Sequence, residues 1–300
     1  MVENIVLSNE ELGQSLELDK VITPWFILDY IDWGQIEADK STNKYVGQYG
    51  ESLVSNMLGT RDVELSGWVI ARSDDDMSRR KRFLNRFVNP LQRMTMTYND
   101  YAITFYPGTT IEYGDKTAEN NEVVCKFMIE GTAYDPMFKD RNSTNVIAAQ
   151  VIPTFHFPLV IPEQPDPPGG VVFGLTEISL TMNVFNAGSI STGMVITFRA
   201  RGSVKNPRIT NVNTQEYFAL TKRLEAGEVV KINTNVGSKS IRGYIDGETK
   251  NYFTYRDFGS TWLQLALGDN LFVRSADENV DNLEVMIEFY NRYLEVQECY

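Results

Sequence analysis

Residues Gly59 to Pro90 carry an alternating strand pattern straight into a basic amphipathic helix, an order that narrows the fold sharply. In GTRDVELSGWVIA, Val63, Leu65, Val69 and Ala71 share one face, while Asp62, Glu64, Ser66 and Trp68 take the other. Successive side chains of a strand point to opposite sides, so one face is core and one is not. Asp74, Asp75 and Asp76 follow where a helix N-terminus is electropositive, and Arg79, Arg80, Lys81, Arg82 and Arg86 extend toward its electronegative end. Met77, Leu84, Phe87 and Val88 fall on one stripe, which lays the helix on a sheet until Asn89 and Pro90 stop it. A strand, a covering helix and a proline stop form a scaffold element and supply no catalytic device.

At 300 residues the chain is long enough for more than one core, and two domains are expected. Its 42% hydrophobic and 23% charged residues describe a globular protein. The net charge of −12 argues against a surface built to grip a phosphate backbone, which needs a basic face. No run approaches the ~18 apolar residues of a membrane span, and MVENIVLSNEE has neither a basic leader nor a hydrophobic block, so a soluble protein made in the cytoplasm is expected. Cys125 and Cys299 make no disulfide framework. Cys125 alternates with Val123, Phe127 and Ile129 and is predicted to be core, whereas Cys299 is predicted to be exposed and idle.

Strand signals dominate the remainder. Arg93 to Tyr98 and Tyr101 to Tyr106 flank Asn99-Asp100 as a hairpin. Pro107 to Asn121 reads mainly as an extended loop or flaring hairpin, and Glu122 to Gly131 returns as a strand. WFILDYIDW, with Trp25, Phe26, Tyr30 and Trp33, reads as a strand whose rings are mostly core. Prolines at 153, 158, 162, 165, 167 and 168 exclude regular helix and set a linker at 146–170, between an N-terminal domain at 1–145 and a C-terminal one at 171–300. In the C-terminal half, Met194, Ile196, Phe198 and Ala200 alternate with Val195, Thr197, Arg199 and Arg201, Val230 and Ile232 with Lys231 and Asn233, and Leu283, Val285, Ile287 and Phe289 with Glu284, Met286 and Glu288. Turn residues at Gly188-Ser189, Asn235 to Gly237, Asp246-Gly247 and Gly268 to Asn270 separate such runs, which predicts an antiparallel sandwich. The fold class is mainly β, with one helix covering a β-sandwich-like N-terminal domain.

Catalytic equipment is sparse. The sole histidine, His156, lies between Phe155 and Phe157, and no Gly-x-Ser-x-Gly accompanies it. One His and two distant Cys give no zinc spacing, and no phosphate-binding glycine loop occurs, so neither metal nor cofactor is expected. Asp74 to Asp76 fit a helix start, and Asp277, Glu278 and Asp281 fit a loop. Asp269 and Asn270 lack the spaced ligands of a calcium loop. Asn142-Ser143-Thr144 matches a glycosylation acceptor without a secretion signal. The sharpest surface candidate is the ridge of Arg79, Arg82 and Arg86, each about one helical turn from the next. It either solvates the helix or meets acidic groups of a second subunit.

Several pieces resemble the distal tail proteins of long-tailed bacteriophages. The glycine-Arg strand ending in Gly67, the basic helix with Leu84, and Asn89-Pro90-Leu91 are similar to that family's N-terminal domain. GTAYDPMF at Gly131 to Phe138 and FHFP at Phe155 to Pro158 follow in the family's order. Asn186-Ala187-Gly188, Gly202 with Asn206-Pro207, Gly227-Glu228 and Gly268-Asp269-Asn270 are similar to its second β-sandwich. The resemblance implies a galectin-like C-terminal topology and a structural, non-enzymatic role at the phage tail tip. It implies a hexameric ring of this chain that continues the tail tube, assembled in the host cytoplasm. The implied partners are the tail tube protein, the tape-measure protein, and a tail-associated lysin or receptor-binding proteins. DNA would pass the channel without specific binding, and no membrane is involved. Two rivals remain at this point. One is a carbohydrate-binding module using Trp262, and the other a glycoside hydrolase for which no carboxylate pair can be named.

Overall fold

The computed structural model describes residues 4–19, 25–119, 122–147, 150–152, 175–177 and 180–296. The chain divides into two compact units, Met1–Asn142 with Arg292–Tyr300, and Ser143–Asn291. His156, Cys299 and all the linker prolines lie outside the described residues.

The first unit is built from β1 (Asn4–Asn9), β2 (Gln14–Asp19), β3 (Phe26–Asp32), β4 (Ala38–Asn43), β5 (Ser52–Leu58), β6 (Arg61–Ala71), α1 (Asp74–Phe87), β7 (Met94–Tyr98), β8 (Tyr101–Pro107), β9 (Glu112–Glu119), β10 (Glu122–Ala133) and β11 (Phe138–Asp140). Neighbouring strands run β8-β7-β1-β2-β3-β6-β10, and β10 then pairs with β8 through Gly131 with Pro107 and Thr132 with Tyr106. The two layers of this sandwich-like unit are therefore one sheet closed on itself, which leaves those strands without a free edge. At the seam, a Cβ on Gly131 would stand 2.5 Å from the Phe105 ring and 2.7 Å from the Tyr106 carbonyl oxygen, so the strands can meet there only at a glycine.

Inside lie Ile5, Leu7, Leu65, Val69, Met96, Ile103, Phe105, Cys125 and Phe127, each no more than 2% exposed. The parity expected for β6 and β10 holds: Val63, Leu65, Val69 and Ala71 face the core, as do Cys125, Phe127 and Ile129. Helix α1 begins at Ser73, whose extended backbone (φ −158°) and side chain, accepting from the Asp76 N–H at 3.2 Å, mark an N-cap. It seats Met77, Leu84 and Phe87 against the sheet, and ends where Val88 leaves helical geometry two residues before Pro90.

Residues Glu112–Glu119, expected as an extended loop or flaring hairpin, form the hairpin strand β9, paired with β10 from Met128 to Glu122 around a bulge between Cys125 and Phe127. Two features depart from the expectations. Ala38–Leu58, which has no clear alternation, forms a separate two-stranded ribbon, β4 with β5. Arg292–Tyr293 pairs with β11, so the chain's last described residues belong to the first unit.

The second unit stacks two antiparallel sheets. One has the order Thr144–Ile147, Leu283–Phe289, Met194–Ala200, Val229–Asn233, Ser240–Ile245, Glu248–Asn251; the other has Thr181–Asn186, Gly268–Ser275, Arg208–Asn211, Tyr217–Ala219. Ile196, Phe198, Ile232, Val285 and Ile287 from the first face Val184, Ile209, Phe218 and Phe272 from the second over one core. Asp246 and Gly247, both at positive φ (50° and 79°), make the two-residue turn between Ile245 and Glu248.

Candidate functional site

The basic helix separates into arginines that hold the unit together and arginines that do not. Arg80 donates twice to Asp76 (3.0 and 2.9 Å) and lies 3.5 Å from the centroid of the Trp25 ring, which commits it to the fold. Hydrogen bonds from Arg80 and from the Arg72 N–H hold the Asp76 carboxyl below its usual range. Lys116 of β9 reaches Asp74 at 2.8 Å, lowering that carboxyl and raising its own ammonium. Of the ridge residues, Arg82 and Arg86 stand clear of this network and Arg79 only grazes it. Arg79 is 72% exposed with only a 3.8 Å approach to Asp76, and Arg82 donates from Nε to the Ser78 carbonyl at 3.3 Å. Arg86 is exposed and has no hydrogen-bond or ion-pair partner among the described residues. Among them sits Phe83, 43% exposed, one side of it stacked on Phe87 at 6.1 Å.

At the far end of β6 a cleft of ≈ 940 Å³ opens between the barrel and the base of the β4–β5 ribbon. Its walls carry Asp32, Glu37, Asp39, Asp62, Glu64 and Glu130, and among the described residues no lysine or arginine lines it. Thr132 donates to Asp62 at 2.7 Å and the Gly34 N–H donates to Asp32 at 2.8 Å. The ribbon above the cleft is exposed throughout β4, and in β5 it presents Leu53 (58%), Val54 (63%), Met57 (69%) and Leu58 (43%) to solvent. Its connecting turn exposes Tyr45, Val46 and Tyr49. Polar ADKSTN opposite SLVSNML fits no single period, so the ribbon leaves no alternation in the sequence.

Beneath the cleft, Arg61 is 3% exposed, with Nε donating to the Pro136 carbonyl (2.8 Å), Nη1 to those of Trp33 (3.0 Å) and Gly34 (2.9 Å), and Nη2 to that of Leu294. Burial lowers its pKa from the ordinary arginine value. A guanidinium of five donors suits this convergence of carbonyls. The signal was present in the sequence: Arg61 shares the odd parity of Val63 and Leu65.

In the second unit, Glu228 is fully buried and accepts from Lys222 (2.8 and 3.1 Å) and from the Glu225 N–H (3.0 Å). Burial pushes its carboxyl up, but these bonds together with one from Tyr252 outweigh it and leave the pKa lowered. The Tyr252 phenol is pushed up to about 12 by its own burial and by Glu228. Trp262 packs against Phe218 at 5.4 Å and Phe253 at 5.9 Å, which commits much of its ring to the protein. Asn186, the first residue of Asn186-Ala187-Gly188, is buried and donates to the carbonyls of Ile190 and Leu265. Among the described residues, no group of three or more His, Cys, Asp or Glu side chains converges to hold a metal ion. No described helix is long and apolar enough to cross a membrane.

The family model described as a phage tail protein RIFT-related domain matches residues 21–121, and the one described as a siphovirus-type tail component, C-terminal domain, matches residues 187–293. No curated protein sequence matches the chain. The Dit protein (gp 19.1) of phage SPP1, described as a paradigm of hub adsorption apparatus in Gram-positive-infecting phages, superposes with a TM-score of 0.65 at 13% identity over 96% of this chain and 98% of its own. A chain of the phage P2 baseplate in its activated conformation with Ca reaches 0.49 at 9% identity, over 96% and 97%. The SPP1 protein shares the fold, and the two tail-component domains follow one another in the order that the sequence motifs foretold. This chain is a siphophage distal tail protein, a structural component of the phage tail tip.

Proposed function

We propose that the first unit closes with five further copies into a hexameric ring that continues the tail tube and leaves a channel for the genome. The observation that carries this reading is the Dit fold running through the whole chain, with a tail-component domain in each unit. A cyclic assembly repeats one heterologous pair of patches, so each copy needs two different sticky surfaces. The first unit offers two: the ridge of Arg79, Arg82 and Arg86, and the uncovered ribbon with its acidic cleft. β9 adds one outer edge of the sheet, beyond β10.

In this reading the ring joins the tube and tape-measure proteins on one side to a tail-associated lysin or receptor-binding proteins on the other, and the second unit offers attachment surface to the latter. The mechanism is geometric, with no bond made or broken. An acidic excess of −12 lining the channel would repel DNA and keep it from adhering in transit. Negative-stain microscopy of the purified chain tests the ring. Uniform annular particles are expected, and particles that stay compact and single when the tube protein is added would overturn it.

A further inference from the structure

Resting on that ring, we infer that helix α1 of one copy docks into the acidic cleft and against the β4–β5 ribbon of the next. The ribbon is the starting point. It pairs with no other strand among the described residues, none of its residues is buried, and Leu53, Val54, Met57 and Leu58 are all exposed, with Met57 paired opposite Asp39. A two-stranded ribbon is marginal in water by itself, and an apolar stretch of this kind on a projecting element marks a contact.

Charge decides what covers it. At its base stand six carboxylates with no cation among the lining residues, in a unit whose own helix carries Arg79, Arg82 and Arg86 outward around the exposed Phe83 ring. Apolar centre and charged rim match on both sides: Phe83 against Met57, and the arginines against Asp39, its cross-strand partner on the same face, and Glu37. Arginine suits this role, since its planar fork binds carboxylates bidentately and its weak hydration lowers the cost of burying it.

The helix cannot serve its own cleft. Phe83 contacts Phe26, which pairs with Val69, whereas the cleft wall at Glu64 pairs with Asp32 toward the other end of β6. Two complementary patches set apart on one unit form a heterologous pair, and such a pair closes into a ring when repeated.

The test is charge reversal in the full-length chain, read by analytical ultracentrifugation at graded concentration, with circular dichroism melting to confirm folding. All four substituted side chains are exposed, so the fold tolerates the changes. Arg82→Glu with Arg86→Glu, and separately Glu37→Arg with Asp39→Arg, should each raise the concentration needed for assembly by at least about tenfold. Combining the four should restore it. A wild-type ring indifferent to either reversal, or a quadruple variant that fails to recover, overturns this contact and leaves the ring reading intact; the ribbon would then be covered by another tail protein. A wild-type chain that never assembles, even with the tube protein, overturns the ring and the contact together.

Discussion

The guanidinium of Arg61 donates to the main-chain oxygen of Leu294, a residue 233 positions further along the chain. The same side chain holds the carbonyls of Trp33, Gly34 and Pro136, so one buried cation ties the exit of β3, the β10–β11 turn and the returning C-terminal segment. Replacement by methionine strands several buried acceptors at once, each worth about 1–3 kcal/mol when unsatisfied. Arg61→Met should therefore destabilise the first unit, lowering its unfolding temperature, and leave the second unit's transition in place. Differential scanning calorimetry resolves the two.

Closure of the barrel at Gly131 predicts a sharp intolerance. Gly131→Ala presses a methyl into the Phe105 ring and a rigid main-chain oxygen, and should cost about 1–3 kcal/mol in urea unfolding. Gly114→Ala is the control: its Cβ would meet only ordinary contact with Lys126 at 3.5 Å, so stability should stay within about 0.5 kcal/mol. Equal losses at both positions would contradict the seam.

Helix α1 depends on its first turn. Ser73→Ala removes the acceptor of the Asp76 N–H and should destabilise the first unit by about 1 kcal/mol, whereas Ser73→Asp should retain the cap. Hydrogen exchange at Asp76 and Met77 would report the fraying directly.

Glu228 makes the second unit sensitive to acid. Its folded pKa lies below the ordinary value of 4.5, so its contribution is complete above that value and disappears as pH falls through the folded one. Glu228→Gln should cost about 2 kcal/mol at neutral pH and flatten the stability loss below pH 4.5. Tyr252 acts at the other extreme. Its raised pKa gives a contribution present below the ordinary value of 10.0 and lost as pH climbs toward about 12, which Tyr252→Phe should remove.

Local periodicity made much of this protein legible. The faces of β6, β10 and the strands Met194–Ala200 and Leu283–Phe289 were readable because each alternates against one core, and α1 because its stripe, acidic start and proline stop agree. What stayed hidden depends on residues far apart in sequence. Pairing of Gly131 with Pro107 closes the barrel, and Arg292 returns to Lys139, yet neither leaves a periodic mark. The β4–β5 ribbon was unread because strand parity speaks only when one face is buried, and here neither is. Arg79, Arg82 and Arg86 were readable as an exposed ridge, but what an exposed ridge touches is a property of two molecules.

Self-closure of the first unit is tested most directly by cryo-electron microscopy of the purified full-length chain, alone and mixed with its tail tube protein. The account predicts six-fold rings of six protomer masses, with helix α1 of each copy seated against the neighbouring β4–β5 ribbon. Single protomers in both samples, or rings built on other surfaces with both the ribbon and the arginine ridge left in solvent, would contradict it.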